Sequence, residues 1–323
     1  MKKVFLAIAL LSLVGAQSAT AQDYPTKVIT IIVPFTAGGP TDTVARLVAV
    51  PMSKALNTLV IVENVGGAGG SVGANRAAKS APDGYTLFLH HIGQATAPAL
   101  YRKLPYNPIT DFEPIGLINE VPMTLVAKKD FPPKDLKELI AYVKANKAKV
   151  NLANAGLGAA SHLCGTLFMV AIETDLTTIP YSGTGPAMND LLGGQVDIMC
   201  DQTTNTTSQI RAGKIKVYGV TTKKRVPSLP NVPTLDEAGL KGFEVSIWHG
   251  LYAPKGTPKP IIEKLTKALQ AAMKDSMVSQ RFHDLGTETV SEDRATPEAL
   301  RKHLKAETDK WGPILKKAGA YAD

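Results

Sequence analysis

The chain has 323 residues, 44% of them hydrophobic, with 36 basic and 28 acidic side chains and a formal charge of +8. That hydrophobic share excludes a disordered chain and supplies buried cores. The basic excess is scattered through lysine-containing helical stretches such as residues 134–149. No basic stripe is interleaved with aromatics, which excludes a nucleic-acid surface.

In chain order, Lys2 and Lys3 precede an apolar run over residues 4–14, broken only by Ser12. Ala19-Thr20-Ala21 then puts small residues where a signal peptidase reads. The run is well short of the ~20 residues a membrane helix needs. Residues 1–21 therefore read as a cleaved signal peptide, with a mature chain from near Gln22 in the periplasm. No cysteine follows the run to carry a lipid, and no later stretch is apolar enough to span a bilayer. About 300 residues remain, which suggests two domains.

Short apolar runs alternate with longer amphipathic stretches, the pattern of parallel α/β units. Strands are expected over residues 28–33, 59–63, 85–90, 177–179, 196–200 and 216–220, with another closing at Ala153. Helices are expected from Thr41, over residues 161–172, from Pro186, and through the C-terminal region from Pro258. Pro51 should break or kink the first helix. The expected architecture is α/β with two lobes, each a mainly parallel sheet flanked by helices. Residues 22–122 with 222–323 form lobe 1, and residues 123–221 form lobe 2. The return rests on residues 222–233, a Pro- and Lys-containing linker.

Two cysteines occur, Cys164 and Cys200. Neither has a partner at zinc-finger spacing, so no metal site is expected. In an oxidising compartment the pair is a disulfide candidate, the alternative being two buried thiols.

Ligands of parallel sheets bind beyond the carboxyl ends of strands, which directs attention to four loops. The first runs from Pro34 to Asp42 and offers Phe35, Thr36, Ala37, Gly38, Thr41 and Asp42. Its small residues let backbone N–H groups approach an anion at a helix start. Simple helix capping by Thr41 or Asp42 is the structural alternative. A second loop offers Asn154, Gly156, Ala160 and Ser161 on the same logic, with capping by Ser161 as the alternative. After Cys200 come Asp201 and Thr203 in a run of amide and hydroxyl side chains. The fourth loop holds His90, His91 and Gln94. Adjacent strand residues point opposite ways, so His91 is taken to face the site and His90 to face away. None of these loops contains Lys or Arg. Phe35 would pack a ligand's carbon frame, whereas Trp248 and Tyr252 read as core. Asp42 and Asp201 would repel a carboxylate unless they cap helices, hold water or meet an ammonium group.

Gly69-Gly70-Ser71-Val72-Gly73 fits the G-x-S-x-G pattern of serine hydrolases. Residues intervene between the strand end at Glu63 and Ser71, and no oxyanion loop accompanies it, so a flexible turn is the better reading. No nucleotide-binding motif is present, and no cofactor is expected.

Several segments together carry a family likeness. They are Ile31-Ile32-Val33-Pro34-Phe35 with Gly38-Gly39-Pro40-Thr41-Asp42, Val62-Glu63-Asn64, Ala81-Pro82-Asp83-Gly84-Tyr85, Asp111-Phe112-Glu113-Pro114, Pro180-Tyr181-Ser182-Gly183 and Leu192-Gly193-Gly194-Gln195-Val196-Asp197. The chain resembles the Bug-type periplasmic solute receptors of tripartite tricarboxylate transporters over nearly all its mature length. The resemblance implies a monomeric, two-lobed flytrap that is not an enzyme and that closes on a dicarboxylate, an aromatic acid or an acidic amino acid. It also implies integral-membrane permease subunits as partners. A receptor that feeds a sensor kinase, or a hydrolase using Ser71, are the alternatives.

Overall fold

A computed structural model describes residues 24–318. The expected signal peptide lies outside the described residues.

The N-terminal part alternates strand and helix: β1 (Ile29–Val33), α1 (Pro40–Leu56), β2 (Val60–Asn64), α2 (Ser71–Ala78), β3 (Thr86–His91) and α3 (Gly93–Leu100). A long β4 (Phe112–Lys128) follows, and then α4 (Leu136–Ala145), β5 (Asn151–Asn154), α5 (Ala160–Ala171), β6 (Thr177–Pro180) and α6 (Thr184–Leu192). The chain continues through β7 (Ile198–Gln202), α7 (Thr203–Arg211), β8 (Ile215–Val220) and β9 (Ser246–Pro254). It ends with α8 (Lys259–Lys274), α9 (Ser276–Asp284), β10 (Glu288–Thr289) and α10 (Pro297–Ala318). β4 and β9, together with the two-residue β10, have no counterpart in the sequence reading. Pro114 and Pro122 break up the strand signal of β4, and β9 was read only as core aromatics.

Those two strands organise the molecule. Residues 112–122 of β4 pair antiparallel with β9, which pairs with β3, and β3 leads on through β1 to β2. Residues 123–128 of β4 instead pair with β7 and β8, and β7 leads on to β5 and β6. One strand thus belongs to two sheet halves, and the two lobes are these halves with their helices. Pairing is parallel among β1, β2 and β3 and among β5, β6 and β7; the crossing strands add antiparallel partners.

The chain passes between halves near Pro122, Thr221 and Val245. Thr221 ties these crossings together: Met123 N–H donates to its Oγ1 at 3.0 Å, its own N–H donates to Met123 O at 2.9 Å, and Val245 N–H donates to its carbonyl at 3.1 Å. Residues 222–245 were expected with the first half. Leu235 and Leu240 instead share a core with Leu125, Leu139 and Phe168 of the second. After β9, α10 packs back on the first half. Both Trp248 and Trp311 donate their indole N–H to Glu307, at 3.3 and 2.9 Å, so one carboxylate satisfies two buried donors.

α1 runs unbroken through Pro51, against expectation. The proline removes one rung of the helix, but Val44, Val48 and Met52 are fully buried, and their packing outweighs a local cost of about 3 kcal/mol. Among the described residues, no helix is long and apolar enough to cross a membrane.

Cys164 and Cys200 are joined as a disulfide, with Cα atoms 5.9 Å apart and a separation of 36 positions in sequence. It links the second turn of α5 to the middle of β7. Closing a loop of that length removes about 4 kcal/mol of unfolded-state entropy. Replacing both residues, Cys164→Ala with Cys200→Ala, should lower the unfolding free energy by about 2–4 kcal/mol in a urea titration. An unchanged midpoint and slope would show that the bond contributes nothing.

Candidate functional site

Helices that follow strands of a parallel sheet all start at the same edge, and here four of them start around one slot. Its walls are Phe35, Pro40, Thr41 and His91 from the first half, and Ala155, Ala159, Ala160, Ser161, Thr184, Asp201 and Gln202 from the second. The void measures about 240 Å³ with its mouth included, but the centre of a water molecule can reach only about 10 Å³ of it. That is a slot about one water wide. Larger hollows exist elsewhere, such as a 580 Å³ groove lined by Glu120, Lys224, Arg225 and Arg294, but no comparable set of helix starts surrounds that groove.

The helix starts decide the chemistry. α1, α5, α6 and α7 are preceded by Gly39, Ala159, Gly183 and Gln202, and none of these makes a side-chain cap. Of the helices off the slot, α4 and α9 are capped by Asp135 and Asp275, whereas α2, α3 and α8 lack a side-chain cap, so it is the convergence of four uncapped starts on one place that sets the slot apart. Capping by Asp42 or Ser161 does not occur either. Asp42 accepts from Gly38 N–H at 3.0 Å and Ser161 Oγ accepts from Ala155 N–H at 2.8 Å, so both brace the loops in front of their helices. First-turn N–H groups are left over at each start, with the positive end of each helix dipole toward the slot. No Lys or Arg lines it. Gln202 Oε1 is buried there without a hydrogen-bond partner, as expected of a group that awaits a polar solute, while the Thr184 hydroxyl faces the Asp201 carboxylate.

The two acids have different environments. Asp42 is buried, which pushes its pKa up, but hydrogen bonds from Arg46, Gly38 N–H and Asn64 more than offset this and hold it below the usual range. Its charge is consumed inside the first half, by Arg46 at 3.0 Å among others. Asp201 has no such cation. Burial pushes it up to about 6, against the opposing pull of hydrogen bonds from Asn205, at 2.6 Å, and from the Gln202 backbone. It is the one acid in the slot wall.

Three neutral histidines lie behind the first wall. His91 stacks on Phe35 with centroids 4.8 Å apart, and burial lowers its pKa to about 3. Gly93 N–H donates to its Nδ1 at 2.9 Å, which puts the ring proton on Nε2. Thr41 Oγ1 lies 3.4 Å from His249 Nε2, and His249 Nδ1 faces Asn119 Oδ1 at 2.9 Å. His90 was expected to point away from His91. Their rings are in fact 4.6 Å apart, although only His91 lines the slot.

Of the residues singled out from sequence, Phe35, Thr41, His91, Ala160, Ser161 and Asp201 share the slot. The others lie off it. Thr36, Ala37 and Gly156 sit where the halves meet, and Gly38 is exposed beside Asp42. Gln94 Nε2 donates to Pro108 O, Asn154 Oδ1 accepts from Gly156 N–H, and Thr203 Oγ1 donates to Gly286 O. These three stabilise turns. Thr184 was missed altogether. Its signal was a polar residue between Gly183 and Gly185 after a strand, the same pattern as in the chosen loops. Ser71 opens α2 some way beyond the end of β2 at Asn64, so it does not form a strand-to-helix elbow.

Comparison with known proteins agrees with this geometry. The family model described as tripartite tricarboxylate transporter family receptor matches residues 44–320. A protein of Agrobacterium vitis, "UPF0065 protein in the TAR-I ttuE-ttuC' intergenic region", is 54% identical over 99% of this chain and 92% of its own length. The solved structure of the periplasmic binding protein BugD is 55% identical, covers 93% of this chain and 100% of its own, and superposes with a TM-score of 0.91. MatC of Rhodopseudomonas palustris, solved with bound malate, is 44% identical over 90% of this chain and 100% of its own, with a TM-score of 0.88. The family model over most of the chain, with relatives at 54% and 55% identity along nearly its whole length, places this chain in the tripartite tricarboxylate transporter receptor family, among the Bug-type solute receptors.

Proposed function

We propose that the chain is a periplasmic receptor that captures a small carboxylate in the slot and delivers it to the permease subunits of a tripartite tricarboxylate transporter. The lobes would then be residues 24–122 with 246–318, and residues 123–245. The observation that carries this reading is the ring of four uncapped helix starts in a slot without Lys or Arg. Such donors hold an anion through main-chain N–H groups and helix ends, a preorganised arrangement that needs no flexible cation. Malate in the MatC relative is an acid of the expected size and charge. Phe35 and the alanines at positions 155, 159 and 160 would cover its carbons. A binding role is supported by the relatives, since BugD is a periplasmic binding protein and MatC was solved with malate bound.

A thermal-shift panel tests the ligand class. Malate, succinate, adipate, benzoate and aspartate, each at about 100 times its dissociation constant, should add about 2.7 kcal/mol for any acid that fits. A panel in which only sugars, metals or peptides shift the melt would sink the carboxylate reading.

Asp201 makes the binding pH-dependent. The folded chain holds this proton more tightly than the unfolded chain, since the pKa rises from 3.8 to about 6. Its contribution to stability is therefore complete below the unfolded value and is lost as pH rises through about 6. Above that pH the carboxylate also repels a plain dicarboxylate. Malate affinity should accordingly rise as pH falls from 8 to 6, and Asp201→Asn should bind malate roughly tenfold more tightly at pH 8, with a flat pH profile. Isothermal titration across that range checks both. Weaker binding by Asp201→Asn, together with a preference for aspartate, would instead identify an ammonium group on the natural ligand as the partner of Asp201.

A further inference from the structure

Beside the slot the two lobes meet in a seam built largely from main chain. At one point Thr36 N–H of the first lobe donates to Ser182 O of the second at 3.1 Å. At another, the Tyr101 hydroxyl lies 2.7 Å from Ala68 O in its own lobe and 2.6 Å from Leu157 O across the gap. Leu157 belongs to the loop that continues into the slot wall at Ala159 and Ala160.

Three glycines in this seam have no conformational reason to be glycine. Gly66, Gly183 and Gly185 all have φ outside the left-handed range, and Gly183, at 166°, is simply extended. What requires them is the opposite lobe. A Cβ on Gly183 would sit 2.3 Å from Thr36 Oγ1 and 2.9 Å from Thr36 N. On Gly66 it would lie 2.9 Å from Ser182 O, and on Gly185 2.9 Å from Ala37 O. At Gly183 and Gly185 every close contact of such a methyl is with the opposite lobe, whereas at Gly66 the Thr36 backbone of its own lobe, at 3.3 Å, adds to the crowding.

We infer that these glycines and Tyr101 form a latch that sets how long a bound solute stays, with Tyr101 as a positioning residue acting through the 155–160 loop. The inference rests on the slot being the ligand site. At Thr36 and Ser182 closing brings an N–H of one lobe and a carbonyl of the other within bonding distance. The Tyr101 hydroxyl then spans two carbonyls, one from each lobe, which it can do only when they are together. Opening separates Leu157 from it and leaves the hydroxyl to Ala68 and water.

Stopped-flow binding of malate to the full mature chain tests this. Tyr101→Phe should dissociate about three- to tenfold faster with an unchanged association rate, the effect of one net hydrogen bond. Gly183→Ala should bind at least about tenfold more weakly, since overlap with main chain keeps the lobes from meeting. The ligand-free melting temperature of both should stay within about 1 °C of wild type, inside the shift of about 2 °C that 1 kcal/mol produces in a chain of this size. A merely structural role would do the reverse, lowering the melt and sparing the rates. Spin labels on cysteines placed at the exposed Val72 and Val170 give a readout that needs no solute. The parent chain should populate a short inter-lobe distance that Gly183→Ala lacks. Equal distance distributions, or equal malate kinetics in parent and variants, overturn the latch. If malate fails to bind the parent chain, the ligand assignment is at fault, and the spin-label distances still decide the seam.

Discussion

The starts of α1, α5, α6 and α7 impose the constraint on which the molecule turns. Each helix begins with N–H groups that have no partner within the helix, and a chain ordinarily satisfies them with a capping side chain or water. At these four positions the sequence places Gly39, Ala159, Gly183 and Gln202, whose side chains supply no cap. Donors gathered from four directions around one narrow slot can be satisfied together only by a group with several acceptor lone pairs. A carboxylate is such a group. The sheet topology exists, in effect, to bring the four starts to one place: parallel strands point their carboxyl ends the same way, and β4 and β9 carry the chain between halves so that the two sets of ends face each other.

The electrostatics follow from which charges are settled in advance. Asp42 stands beside the slot yet is neutralised by Arg46 four residues along its own helix, with Asn64 and Gly38 completing its shell. It shapes the first loop and leaves that loop's donors facing the slot. The histidines are kept neutral by burial and so add shape and hydrogen bonds without adding charge. Asp201 is the exception, an acid without a cation in a place made for an anion. Such a conflict is costly unless something titrates or something positive arrives, and it therefore carries information about the solute.

Much of this was legible in the sequence because glycine-rich turns between an apolar run and an amphipathic one mark strand-to-helix loops. Residues Phe35, Thr41, Ala160, Ser161 and Asp201 were found by that rule and meet in the slot. The strand ends were legible to within a residue or two for most elements. What was not legible depended on distance in the chain. The partner of Asp42 could have been guessed from Arg46 at helical spacing, but the Asn64 contact spans 22 residues. His91 rather than His90 was chosen for the slot and does line it, although the two rings lie closer together than strand alternation implies. β4 was missed because its prolines argue against a strand, although an edge or a crossover tolerates them. Residues 222–245 were assigned by composition, whereas their lobe is decided by where Leu235 and Leu240 find apolar neighbours.

The bond between Cys164 and Cys200 fastens α5 to β7, and these two elements carry Ala160 and Ser161 on one side of the slot and Asp201 and Gln202 on the other. Two walls contributed by stretches far apart in the chain are thereby made into one rigid piece. Where thiols stay reduced the same two elements are held by their packing alone, so the redox state of the compartment bears directly on how firmly the slot is framed.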